Sequence, residues 1–192
     1  MRRRRDNTAD AAARYEADQA ASALALHLRA GGALTPVPAP GLALDPGVTA
    51  YADVVCATAR FYATDVPYQQ GAGYFEDHPT FGRQWVPNHK LDARRRQQAE
   101  AAAQAQWRDH TPARVVLTSA GLRINPAGMP ATWLPFDHAL LTGITVTPAR
   151  HELVLAYSVC APLLLAGPAA PWLSVALRHL SPGTPVQESG NN

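Results

Sequence analysis

Residues 113–180 read ARVVLTSAGLRINPAGMPATWLPFDHALLTGITVTPARHELVLAYSVCAPLLLAGPAAPWLSVALRHL, and this stretch decides the fold. Short apolar runs alternate with turn residues. Val115–Leu117 predicts a strand, Ser119-Ala120-Gly121 a turn, and Leu122–Ile124 the returning strand. Trp133–Phe136, Gly143–Thr147, Glu152–Tyr157 and Leu163–Leu165 predict four more. Pro168 then opens a helix that runs to Leu180. Leu173, Ala176, Leu177 and Leu180 share one face of it, and the prolines at 168 and 171 fall in the first turn, where a missing N–H costs nothing. A run of strands ending in one amphipathic helix predicts an α+β domain. Leu153–Leu177 holds no charged residue and exceeds the ~20 residues of a membrane span. Three prolines interrupt it, so two strands and a helix are the reading, and no transmembrane span is expected.

Working outward, Val48–Ala63 is rich in β-branched and aromatic residues and predicts one long strand. Residues 64–87 mix Gly, Pro and aromatics without a clear period, with room for a hairpin through Tyr68–Phe75. Residues 88–108 predict a helix capped by Asn88 and closed before Pro112. Apart from Leu91 and Trp107 it carries no large apolar residue. Residues 33–47 place four prolines in fifteen positions and predict an extended linker. Residues 8–30 predict a helix stopped by Gly31-Gly32, with a thin apolar stripe of Ala17, Ala21, Leu24 and Leu28. The expected organisation is a basic tip and helix over 1–32, the linker 33–47, a domain over 48–182 with an insertion at 64–112, and a disordered tail at 183–192. With so thin a stripe, loss of residues 1–30 is expected to leave the domain folded.

Composition bounds the function. The chain has 192 residues, 47% hydrophobic and 17% charged, with a single lysine, Lys90, against 16 arginines. A core can form, while a coiled-coil rod, a collagen or a disulfide scaffold is excluded. Net charge is +2, but Arg2–Arg5 supply four of the positive charges. The remainder is slightly acidic, without the broad basic face of a dedicated nucleic-acid binder. Cys56 and Cys160 sit in separate apolar runs and read as free thiols. No secretory leader is visible after the arginine tip, which makes a cytoplasmic location the expectation.

The segment Arg114-Val115-Val116-Leu117-Thr118-Ser119-Ala120-Gly121-Leu122 resembles the Leu-Thr hairpin of bacterial pleckstrin-homology-like (PH- and GRAM-type) domains. Trp133–Phe136, Ile144–Val146, Leu153–Leu155, Pro162–Leu165 and the final helix follow the same plan. The chain is also similar to a group of uncharacterised actinobacterial proteins through Ala59–Tyr62 and Gln106–Arg108. It departs from the PH-like pattern at Ala120-Gly121, where a basic residue is usual, and in the length of 64–112. The resemblance implies an antiparallel barrel closed by the C-terminal helix, and a binding module with no catalytic residue and no cofactor.

The residues themselves point the same way. Asp137-His138 are sequence neighbours on a short turn and point apart, and no Gly-x-Ser-x-Gly elbow is present. Glu76-Asp77-His78 with His89 lack metal-ligand spacing. Arg94-Arg95-Arg96 fan around their helix, since consecutive residues are 100° apart. Tyr68, Tyr74, Phe75 and Trp85 punctuate the preceding loop. The expected partner-binding residues are therefore Arg94, Arg95, Arg96, Tyr68, Tyr74, Phe75 and Trp85. A protein partner or a second copy is the expected ligand. Anionic lipid or nucleic acid, met through Arg2–Arg5 and Arg94–Arg96, is the alternative.

Overall fold

The computed structural model describes residues 2–68, 71–129 and 131–189, with side chains from residue 11 onward. The chain divides into two compact units. One comprises residues up to Phe61 together with those from Trp107 onward; the other is Tyr62–Gln106.

The larger unit is α+β. Its strands are β1 (Ala50–Tyr62), β4 (Gln106–Thr118), β5 (Gly121–Pro126), β6 (Leu134–Asp137), β7 (Leu141–Thr147), β8 (Glu152–Tyr157), β9 (Leu163–Ala166) and β10 (Val186–Glu188). They form one sheet in the order β10-β7-β8-β9-β1-β4-β5-β6. β1 on β9, β4 on β5, β5 on β6, β7 on β8 and β8 on β9 pair antiparallel, and β10 on β7 pairs parallel. Alternation sets the inner face. Leu153, Leu155 and Tyr157 of β8 point inward with Leu163 and Leu165 of β9, Val115 and Leu117 of β4, and Leu122 and Ile124 of β5. Register stacks these residues directly: Leu155 opposes Leu163, and Val115 opposes Ile124.

Helix α3 (Ala170–Leu180) lies against β7 and β8. Leu173, Ala176 and Leu177 are fully buried, while Trp172 only flanks the core. The helix begins two residues later than predicted and ends where the Ser181 N–H bonds back to Leu177.

The sheet is not closed, contrary to the closed barrel that the resemblance implied. Its edges are β6 and β10. Only the turn His138–Leu140 separates β6 from β7, yet these two strands do not pair. The free edge of β7 is occupied by β10: Ile144 N–H donates to Pro185 O, and Ser189 N–H to Val146 O. Part of the tail expected to be disordered is thus a strand, and it fills the edge that β6 would need.

Three other expectations change. The second helix, α2 (His89–Ala103), stops five residues early. The following residues extend β4 along β1, where Thr58 Oγ1 donates to Thr111 O and the Phe61 and Trp107 rings stand 5.2 Å apart. The insertion accordingly shrinks to Tyr62–Gln106. The linker 33–47 has no regular structure, as expected, but Leu34 enters the core and Val37 N–H bonds to Ala50 O. Helix α1 (Arg2–Arg29) packs on α3. Its stripe docks as read: Ala21 is buried, with Leu24 and Leu28 against the core.

That contact bears on truncation. Deleting residues 1–30 uncovers the apolar surface that Ala21, Leu24 and Leu28 shield. The truncated protein is expected to melt at a lower temperature than the full chain, and equal midpoints in a thermal scan would show that α1 adds nothing.

Candidate functional site

The sequence-predicted residues all lie in Tyr62–Gln106, which holds a hairpin and a helix. Strands β2 (Gly73–His78) and β3 (Gly82–Pro87) pair antiparallel, with Phe75 opposite Trp85 and Tyr74 opposite Val86. The hairpin lies later in the chain than Tyr68–Phe75, because the turn falls at Pro79–Phe81. Gly73 is required by its neighbour, since a Cβ there would strike the Trp85 ring.

On one face of the hairpin the Phe75 and Trp85 rings meet edge-on at 4.9 Å, and the Arg83 guanidinium lies 4.5 Å above Phe75. This cation–π stack was not anticipated from sequence; strict two-residue alternation about the turn would have placed it. Tyr74 projects from the opposite face. At the tip His78 and Phe81 stack at 4.9 Å. Tyr74, Phe75, Phe81 and Trp85 are between 48% and 71% exposed. A two-stranded hairpin has no core of its own to bury such rings.

Helix α2 is tied to the hairpin by its first turn. Asn88 Oδ1 caps the Leu91 N–H, Asn88 N–H donates to Ala72 O, and Asp92 accepts from the Ala72 N–H. At its far end Thr64 N–H donates to Ala103 O. Arg94, Arg95 and Arg96 are all exposed. Arg96 pairs with Glu100 at 2.8 Å, whereas Arg94 and Arg95 form no ion pair among the described residues. Arg95 and Tyr68 line a shallow hollow of about 380 Å³ with Val66, Pro67, Gln98, Ala99 and Ala102. The seven residues thus fall into two groups: aromatics on the hairpin, and Tyr68 with the arginines on the helix. The side chains of Arg2–Arg5 lie outside the described residues.

In the larger unit, Asp137 pairs with Arg123 at 3.0 Å, while His138 Nε2 faces Thr118 O at 3.0 Å. The two side chains engage different partners and form no acid–base couple. Burial lowers the pKa of His138 below its ordinary 6.5. The folded state therefore holds the ring neutral while the unfolded chain takes a proton. Stability is expected to fall as pH drops below 6.5, and His138→Gln should flatten that part of a stability–pH curve. Cys56 is buried, its thiol pushed up to about 11 by burial; Cys160 is partly buried, and the two are not bonded. No group of three or more His, Cys, Asp or Glu is placed to hold a metal among the described residues.

No protein-family model and no curated protein sequence matches the chain.

Proposed function

We propose that this chain is a PH-like binding module, without catalytic activity, that recruits a protein partner or a second copy through Tyr62–Gln106. The observation that carries this reading is the exposed Phe75–Trp85–Arg83 stack, flanked by Tyr74 and Phe81. Aromatic residues and arginine are the side chains enriched where protein interfaces concentrate their energy. Their exposure on a two-stranded hairpin is what a partner would relieve.

The PH-like part of the reading is supported by order. With the insertion and β10 set aside, seven antiparallel strands precede the helix α3. Each strand is adjacent to its successor in the chain except at one break between β6 and β7, and the first pairs with the last. That is the cyclic order of a barrel cut once. A cytoplasmic location belongs to the same proposal. No helix among the described residues is long and apolar enough to cross a membrane.

The alternative, an anionic membrane surface or nucleic acid, draws on Arg2–Arg5 and Arg94–Arg96. Within residues 62–106 the arginines are offset, because that unit contains as many carboxylates as cations. A binder that neutralises phosphates needs an excess of positive charge. Replacing Phe75 and Trp85 together by Ala is expected to abolish capture of partners or self-association, with melting behaviour of the larger unit unchanged. Replacing Arg94, Arg95 and Arg96 by Ala is expected to weaken binding less, by a salt-dependent amount. Loss of binding in the triple mutant alone, with steep salt dependence in the wild type, would favour the alternative.

A further inference from the structure

The larger unit contains a cavity of about 410 Å³ lined by β1, β4, β5, β6 and β9. Its volume lies within the range of small-molecule sites. The floor is built from Ala59 of β1, Ile124 of β5 and Leu163 of β9, each at most 2% exposed. Phe136 forms one wall. At the rim Met129 is 56% exposed and Leu134 37% exposed, so apolar side chains continue from core to solvent without a polar break. Hydrogen bonds tie the residues at the lip. Asn125 Nδ2 donates to Met129 O and to Thr132 O, both at 2.7 Å, and Ala127 N–H donates to Pro112 O.

One cation stands in this wall. Arg60 donates through Nε to Ala161 O at 3.3 Å, and its guanidinium carbon lies 5.4 Å from the centre of the Phe136 ring. These contacts orient the group and leave both Nη nitrogens without a hydrogen-bond acceptor among the described residues. A guanidinium fork with two unused donors matches a carboxylate in shape and charge. The other titratable residues lining the cavity are Asp109 and His110, both exposed, and Asp109 already takes part in another interaction. A single oriented arginine balances a monoanion, whereas a phosphate ester would call for a second cation.

We infer that this cavity binds a small carboxylic acid with an apolar body. The carboxylate would sit on the Arg60 Nη groups and the hydrocarbon on Ile124, Leu163, Phe136, Met129 and Leu134. This site is independent of the aromatic hairpin, so either proposal can fail without the other.

The test uses the full chain, with decanoate as probe and decanol as its uncharged counterpart, followed by calorimetry and by methyl NMR. Decanoate is expected to bind and to shift the methyl signals of Ile124, Leu163 and Met129. Decanol should bind about tenfold more weakly, the worth of one charge-assisted contact. Arg60→Met, which keeps the side-chain stem, should reduce decanoate affinity by the same factor and leave decanol unaffected. Absence of decanoate binding at about 1 mM, shifts confined to other methyl groups, or equal decanoate affinity in Arg60→Met would each overturn the assignment. The methyl map on the wild type decides the matter even if the variant folds poorly.

Discussion

Leu177→Ala is expected to destabilise the larger unit by about 2–5 kcal/mol, the range for leucines buried in cores that cannot collapse around the gap. Leu177 is fully buried, along with Leu173 and Ala176 on the same face of α3. That face rests on β7 and β8, and α1 lies against the same helix, so few side chains are free to move into the void. Since total stability of a domain is about 5–15 kcal/mol, the variant should lose a large part of its cooperative transition in urea. Leu180→Ala serves as the comparison. Leu180 only flanks the core, and its loss should cost clearly less. Equal midpoints for Leu177→Ala and wild type would mean that α3 does not cover the sheet.

Gly121→Ala is expected to be the second most damaging single change. Gly121 opens β5 and faces Asp137 of β6 across the ladder. A Cβ there would collide with the carbonyl oxygen of Phe136 and stand 2.7 Å from the Cα of Asp137. Both obstacles are backbone, so relief requires β6 to move. The same turn holds Thr118, whose buried hydroxyl donates to Gly121 O at 2.7 Å and accepts from the Gly121 N–H at 3.1 Å. Overpacking of this kind costs about 1–3 kcal/mol, and more when backbone must shift. Gly143→Ala is the control. There a Cβ would meet only Ala156 Cβ at 3.7 Å, an ordinary contact, and stability should hardly change. Hydrogen exchange should show the Gly121→Ala lesion at β6 first, because that strand is an edge.

The surface proposed for partner binding was legible by residue and only partly by arrangement. Tyr74, Phe75 and Trp85 stand out in the sequence because aromatics between glycines and prolines are conspicuous. That Phe75 and Trp85 share a face while Tyr74 takes the other depends on the register of β2 on β3. Arg83, a lone arginine in a polar stretch, becomes informative only when the strand pairing puts it over Phe75. The Arg60 cavity was invisible for a stronger reason. Its lining comes from β1, β4, β5, β6 and β9 and from the loop after β5, and no local pattern reports which strands converge.

By itself the sequence determined the α+β class, the succession of short strands from Val115 to Leu165 and the amphipathic helix after Pro168. Two-residue and 3.6-residue periodicities are local, and they survive because the inner face of the sheet and one face of α3 must be apolar. Tertiary structure decided the rest. Residues 106–108 read as the end of a helix, yet β1 needed a partner along its length, and that demand turned them into the start of strand β4. Val186–Glu188 has no strong strand signal and pairs because β7 offered an unfilled edge. Helix α1 has a thin stripe that says little alone and docks because α3 leaves apolar surface uncovered. In each case an unsatisfied backbone edge or apolar face elsewhere in the fold selected the conformation. Such needs arise only once distant segments have come together.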